Sequence, residues 1–244
     1  MTVDFWGTLL LDPPSSDNRY KRRRMADFET ILSGLGAKVT TVALERAYED
    51  SAGFLGRTWA KNKDVPVTEH VRAILTAVDP GLPARVPVDA MTALVEAYAR
   101  PALLVPPSVD TGARPAFARL QAEGVTLALL SNTMRTPGVV LRQVLDRVGL
   151  LGCFAHTTFS DEVGVRKPDP EIFALTLRAI QVDPAEAVHV GDDPRLDVAG
   201  ARQAGLRVIQ VTHASLKTHG AQRPDAVIPS LAALPDAIAQ LDHA

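Results

Sequence analysis

Apolar positions along the chain follow two different periods. Residues 2–6 are a short apolar run that reads as a buried strand, closed by a tight turn at Gly7-Thr8. Leu11-Asp12-Pro13-Pro14-Ser15-Ser16-Asp17 is dense in turn residues and takes the chain out of the sheet. From about Asn18 to Arg100 the spacing becomes helical. Met25, Phe28, Ile31, Leu32 and Leu35 mark one helix, and Val42, Leu44, Ala47, Tyr48 and Phe54 a second. Val71, Ile74 and Leu75 mark a third, and Met91, Leu94, Val95 and Tyr98 a fourth. Breaks fall at Gly34–Gly36, Asp64–Pro66 and Asp79–Pro83. No strand is expected in this segment.

Pro101 to Asp110 is a proline-rich return linker, and beyond it strands and helices alternate. The pattern predicts helices over Gly112–Glu123, Pro137–Val148, Pro170–Ile180 and Leu196–Ala204, and a last one from Leu231. Strands are predicted over Val125–Leu130, Ala155–Ser160, Ala187–Val190, Leu206–Val211 and Ala226–Ile228, with a basic loop between the last two. Asp169 is placed to cap the helix that opens at Pro170. Strands that read as continuous apolar runs belong to a parallel sheet covered on both faces. The expected fold is a doubly wound, mostly parallel, Rossmann-like α/β core with an inserted all-helical cap. Its domains are residues 1–12 and 101–244 for the core and 13–100 for the cap.

Composition narrows the setting. The 244 residues are 46% hydrophobic and 22% charged, an ordinary globular balance. A net charge of -2 gives no long-range attraction to nucleic acid or anionic membrane. Cys153 is the single cysteine, so no intramolecular disulfide forms and a reducing compartment fits. Residues 1–10 lack a basic n-region, and no apolar run reaches transmembrane length. The expected location is cytoplasmic and the expected partner a small molecule. Nothing in the sequence sets the oligomeric state.

Parallel strands bring their carboxyl ends to one edge, where ligands bind in open α/β sheets. At that edge the sequence puts Asp4 with Gly7 and Thr8, then Ser131 and Asn132, then Lys167, then Asp192, Asp193 and Asp197. The set contains a carboxylate nucleophile, a hydroxyl beside backbone amides, a fixed cation, and acids suited to a hard divalent ion. Each member also has a plain structural reading. Asp4 caps a turn, Ser131-Asn132 forms one, Lys167 is a loop cation, and Asp192-Asp193 cap the next helix. The run Tyr20-Lys21-Arg22-Arg23-Arg24 reads as a solvated face, or as the source of one arginine reaching an anionic substrate. His189 reads as a core residue, His70 as a surface residue, and Tyr48, Trp59 and Tyr98 as cap core.

Four motifs decide between these readings. They are Asp4-Phe5-Trp6-Gly7-Thr8-Leu9, Leu129-Leu130-Ser131-Asn132, Arg166-Lys167-Pro168-Asp169-Pro170, and Val190-Gly191-Asp192-Asp193 with Asp197. Together and in this order they resemble the haloacid dehalogenase superfamily, in the branch with a helical cap after the first motif. The resemblance implies a Mg²⁺-dependent phosphatase for a small phosphorylated metabolite. Asp4 would form an aspartyl-phosphate, splitting one displacement into two. Ser131 and the amide of Asn132 would hold phosphoryl oxygens, and Lys167 would neutralise shared charge. Asp4, Asp192 and the carbonyl of Trp6 would bind Mg²⁺. Asp197 and Asp193 would orient Lys167 or a metal-bound water, and Thr8 would support hydrolysis.

One position departs from the pattern. Phosphatases of this family carry a second aspartate two residues after the nucleophile, and here that residue is Trp6, which cannot protonate a leaving group. Three alternatives follow. One is a 2-haloacid dehalogenase, against which the paired acids Asp192 and Asp193 count. Another is a phosphonate hydrolase using a cap lysine among Lys21, Lys61 and Lys63. The third is a catalytically impaired phosphate-binding protein.

Overall fold

The computed structural model describes residues 1–11, 16–213 and 222–242. Residues 12–15 of the turn expected over 11–17, with the 12/13 domain boundary, and residues 214–221 of the basic loop lie outside them, while Ser16 and Asp17 already belong to the first helix. The strands are β1 (Thr2–Val3), β2 (Leu10–Leu11), β3 (Ser108–Val109), β4 (Ala128–Ser131), β5 (His156–Phe159), β6 (Val188–Gly191), β7 (Arg207–Val211) and β8 (Ala226–Ile228). Six form one sheet in the order β5-β4-β1-β6-β7-β8, and every pairing in it is parallel. The first strand is therefore central. It is shorter than the expected 2–6 because the Phe5 carbonyl turns back to accept the amides of Leu9 and Leu10. Asp4 still donates its amide to Val190 at 2.9 Å, which pins it at the strand end.

Side chains on a strand alternate between faces. On β4, Leu129 joins one apolar cluster with Val3, Phe117, Leu141 and Ile209, while Leu130 joins another with Ile172, Phe173, Val198 and Val208. The sheet is thus covered on both sides. The helices responsible include α7 (Ala113–Ala122), α8 (Gly138–Arg147) and α10 (Pro170–Ala179), numbered after the six of the inserted segment and with the single-turn α9 (Ser160–Val163) between the last two. Asp169 caps α10 as expected, accepting from the amide of Glu171 at 3.0 Å.

The inserted segment is helical: α1 (Ser16–Gly34), α2 (Thr41–Trp59), α3 (Val67–Val78), α4 (Leu82–Arg85), α5 (Val88–Ala99) and α6 (Pro101–Leu104). The last of these occupies the start of the expected return linker. Met25, Phe28, Leu44, Ile74, Leu94 and Tyr98 meet in a core of their own. β2 and β3 pair antiparallel, Leu10 opposite Val109, so the chain leaves and re-enters the α/β core through one ribbon. Among the described residues no helix is long and apolar enough to cross a membrane.

Three expectations are corrected where this segment meets the sheet. Arg24 is not on a solvated face. It shares the inward face of α1 with Phe28 and is only 1% exposed. Its donors reach the Tyr98 carbonyl, the Tyr48 hydroxyl and the Arg135 carbonyl at 2.7, 2.9 and 2.9 Å. Trp59 belongs to the seam rather than to the cap core, donating Nε1 to Asp64 at 3.0 Å. His70 is buried rather than on the surface. The Tyr98 hydroxyl accepts from Arg135 Nη1 at 3.1 Å and sits 3.2 Å from His70 Nδ1, which suits a neutral imidazole accepting there.

Burial, aided by the charges of Arg135 and Arg24, pulls the His70 pKa down to about 3. An unfolded chain protonates this residue near the ordinary value of about 6.5, so acidification from there to about 3 favours unfolding. The loss is on the order of 3–5 kcal/mol over that window. Melting temperature against pH is expected to be flatter below pH 6.5 in His70→Gln than in wild type. Parallel curves would remove His70 as the cause.

Candidate active site

The carboxyl edge of the sheet gathers the four motifs. β1 ends just before Asp4, β4 at Ser131, and β6 just before Asp192 and Asp193. A cleft of about 320 Å³ opens there. Asp4, Trp6, Gly7, Asn132, Lys167, Asp192, Asp193 and Asp197 line it. Thr8 and Ser131 are fully buried and do not. The Thr8 hydroxyl has no hydrogen-bond partner, and neither has the Trp6 indole N–H.

Lys167 is the electrostatic centre. Its Nζ donates to Asp4 Oδ1 at 2.5 Å and to Asp197 Oδ1 at 2.6 Å, and the side chain is 2% exposed. Its backbone is clipped on both sides by Asn132, whose Oδ1 accepts the Lys167 amide at 2.8 Å and whose Nδ2 donates to the Lys167 carbonyl at 3.0 Å. Asn132 therefore fixes the height of the lysine, a role its sequence position did not reveal. Asp197 is held from three directions. Lys167 and His189 Nε2 meet its Oδ1, and the Asp193 amide donates to its Oδ2 at 2.8 Å. His189 is in turn tied through Nδ1 to the Thr2 hydroxyl at 2.8 Å. It is the buried core residue expected, with the added task of bracing Asp197.

The turn that carries Asp197 is widened. The Asp193 carbonyl accepts the amides of both Asp197 and Val198, at 2.9 and 3.1 Å, so Pro194–Ala199 is one turn of π-helix. Asp193 also caps that turn through Oδ1. Its side chain thus has the capping role foreseen as the plain reading, while it still lines the cleft.

Burial sets the charge balance. It works against the Lys167 ammonium, but Asp197 and Asp4 outweigh it and hold that pKa above the ordinary lysine range. Burial also works to raise Asp197, yet Lys167 and His189 hold it well below the carboxylate range. Asp4 goes the other way, pushed up to about 8 by burial and by the nearby charges of Asp197 and Asp192, against the pull of Lys167. One ammonium cannot satisfy three acids, so this cluster is short of positive charge. Carboxylate oxygens of Asp4, Asp192 and Asp197 lie within 4.8 Å of one another, a hard donor set that fits a divalent cation. Asp197 already uses both oxygens on Lys167, His189 and the Asp193 amide, which leaves Asp4 and Asp192 as the better donors.

Gly7 controls the approach of Asp192. Its φ is +78°, and a Cβ there would lie 2.7 Å from Asp192 Oδ2. Gly124 has φ +84° with open space around it. Gly7→Ala is expected to cost about 1–3 kcal/mol in chemical denaturation, since strain and collision combine. Gly124→Ala carries strain alone and should cost less. Equal costs would show that Asp192 yields freely.

Sequence reasoning missed a polar seam beside the cleft. Asp64, in the loop after α2, is buried and receives Ser160 Oγ at 2.6 Å and Arg166 Nη1 at 3.0 Å. The Asp64 amide reaches the Gly164 carbonyl and the Arg166 amide reaches the Asn62 carbonyl, both at 3.1 Å. Asp64 stood at a predicted helix break and Arg166 within a quoted motif. Only their shared burial reveals the pair.

The match to known proteins follows the same outline. A family model for haloacid dehalogenase-like hydrolases matches residues 2–205. A phosphoserine phosphatase from Thermus thermophilus is 42% identical over 95 residues, 39% of this chain and 37% of that protein. A glyceraldehyde 3-phosphate phosphatase from Pyrococcus furiosus is 36% identical over 100 residues, 40% of each. The chain thus spans about two fifths of the length of these curated relatives. Among solved structures, a 2-haloacid dehalogenase from Pseudomonas syringae pv. Tomato DC3000 superposes with a TM-score of 0.71 and 26% identity, over 98% of this chain and 97% of that one. With most of its length matched by one family model and the motif residues gathered at one sheet edge, the chain belongs to the haloacid dehalogenase-like hydrolases.

Proposed function

We propose that this hydrolase cleaves a small phosphorylated metabolite with the help of Mg²⁺, through an aspartyl-phosphate on Asp4. In this reading residues 13–100 are a cap over a core made of 1–12 and 101–244, and the protein works in the cytoplasm. The observation that carries the proposal is the charge shortage at Asp4, which sits against Lys167 with Asp192 close by. Asp4, Asp192 and the Trp6 carbonyl would hold the cation, which when bound neutralises the nucleophile and the incoming phosphoryl oxygens. A carboxylate oxygen of Asp4, at the end of its strand, forms a bond to phosphorus as the ester P–O bond breaks. The alcohol oxygen leaves and takes a proton from solvent, and water then cleaves the aspartyl-phosphate to release phosphate and restore the carboxylate. Lys167 donates to Asp4 Oδ1 and offsets charge as the bond forms. Gly7 and the amide of Asn132 bind phosphoryl oxygens, with Ser131 behind them joining once the cleft wall yields, since its hydroxyl now donates to the Asn132 carbonyl at 3.3 Å. Thr8 supports the hydrolytic step, and Asp197 with Asp193 keeps the lysine aligned.

A 2-haloacid dehalogenase is the second reading, favoured by Trp6 in place of an acid and by the structural likeness. The acids Asp192 and Asp193 speak against it. The phosphonate-hydrolase reading needs a buried amine in the cap, but Lys61 and Lys63 are exposed and Lys21 pairs with Glu49 at 2.5 Å. Phosphate release from a panel of esters, with Mg²⁺ and with a chelator, should appear only with the metal. Chloride release from 2-haloacids in chelator would instead establish the dehalogenase. Phosphate-analogue binding with neither activity would establish an impaired binding protein.

A further inference from the structure

Arg166 adjoins the lysine of the site and is not used by the chemistry proposed for it. It is 5% exposed and lines the cleft. One edge of its guanidinium is fixed: Nη1 donates to Asp64 Oδ2 at 3.0 Å, and the plane lies over the Trp59 ring, 4.4 Å from its centroid. The other edge is poorly served. The partner of Nη2 is the Met134 thioether at 3.8 Å, a weak acceptor on a half-exposed side chain that lines the same cleft. A buried guanidinium facing a sulfur leaves a strong donor underused.

The charge of Arg166 is also only partly offset. Asp64 divides its two oxygens among Arg166, Ser160, Thr133, Trp59 and the Val65 amide. Arg195 stands close enough to repel Arg166 as well. The neighbouring Lys167 is committed to Asp4 and Asp197. Beside Nη2 stands a thioether where a planar fork would take an anionic oxygen, and a carboxylate matches that geometry.

We propose that Arg166 is the specificity residue of this site, reading a carboxylate carried by the phosphorylated substrate once Met134 moves aside. The assignment rests on the phosphatase reading and names its substrate class: short phosphooxy acids, in preference to phosphate esters of the same length without a carboxylate. Asp64 and Trp59 hold the guanidinium in place from the helical segment, so docking of that segment and recognition of the carboxylate depend on one side chain.

The test compares phosphoglycolate with ethyl phosphate, and the three- and four-carbon phosphooxy acids with their alkyl counterparts. Dissociation constants are measured by calorimetry in Asp4→Asn with Mg²⁺ present, and kcat/KM in the wild type. At least one acid should bind tenfold or more tightly than its carboxylate-free counterpart. In Asp4→Asn/Arg166→Met that preference should fall below threefold, with affinity for the carboxylate-free ester unchanged. Arg166→Lys, which keeps the charge and loses the fork, should fall between. A purely structural role would weaken both esters equally, and a melting curve on each variant checks folding. No preference at any length, or one that survives Arg166→Met, overturns the assignment. Absence of turnover on every ester defeats the phosphatase reading instead, because the binding preference is measured without turnover.

Discussion

Asp4→Asn should abolish turnover while leaving the fold intact. Loss of a nucleophile that forms a covalent intermediate costs about 10⁴-fold or more in kcat. Stability should barely move. Asparagine matches aspartate in shape, and Lys167 keeps its 2.6 Å contact with Asp197, which retains its own braces on His189 and the Asp193 amide. The exchange also removes the carboxyl that burial pushes up to about 8, the member of the cluster that suffers most from crowding. Divalent cations should therefore raise the melting temperature of the wild type more than that of Asp4→Asn. The comparison needs phosphate release with Mg²⁺ and two melting curves per protein. Residual activity within tenfold of wild type would remove Asp4 from the nucleophile's position. A melting temperature that collapses in Asp4→Asn would instead make the Lys167 contact structural.

The acids and the lysine of the site were each legible in the sequence. Asp4, Lys167 and the pair Asp192 and Asp197 come from three separated stretches; Asp4 and Asp192 each follow directly on a strand, and strand ends can be read from apolar runs. Parallel topology then gathers them without further information. Their mutual dependence was not visible. That Asn132 clips the backbone of Lys167, or that His189 braces Asp197 from within β6, depends on side-chain directions that no period in the sequence records.

The seam was least legible for a related reason. Periodicity separates apolar from polar positions and so assigns polar residues to the surface. Arg24, Asp64 and His70 are buried polar residues whose partners lie far along the chain, and a buried polar group is tolerable only when such partners arrive. Arg24 was hidden further by its place in a basic run. The helix ends moved little, because apolar spacing fixes the middle of a helix. The strands shortened more, since the first and last residues of an apolar run often pack without joining the ladder, as Phe5 does here.

Trp6→Asp should narrow the gap between good and poor leaving groups. The wild type places no acid where the departing oxygen would take its proton, so it should hydrolyse aryl phosphates far faster than alkyl phosphates. Aryl oxides leave unaided, whereas alkoxides need protonation. A general acid in that position contributes about 10²–10⁴-fold, and almost all of it falls on the poor leaving group. The ratio of kcat/KM for p-nitrophenyl phosphate to that for ethyl phosphate should accordingly drop about 100-fold in Trp6→Asp. The substitution has a structural cost. Trp6 packs edge-on against Phe5, ring centroids 4.9 Å apart, and joins the main apolar cluster. Losing a large aromatic there costs about 3 kcal/mol, and a further carboxylate beside Asp4 and Asp192 adds repulsion. Absolute rates will mix these effects with the chemistry, but a ratio of two substrates on one protein cancels the fraction that is misfolded. An unchanged ratio would mean that the proton already arrives by another route. Asp193 would then be the residue to replace next, because it is the acid on the cleft wall outside the cluster around Lys167.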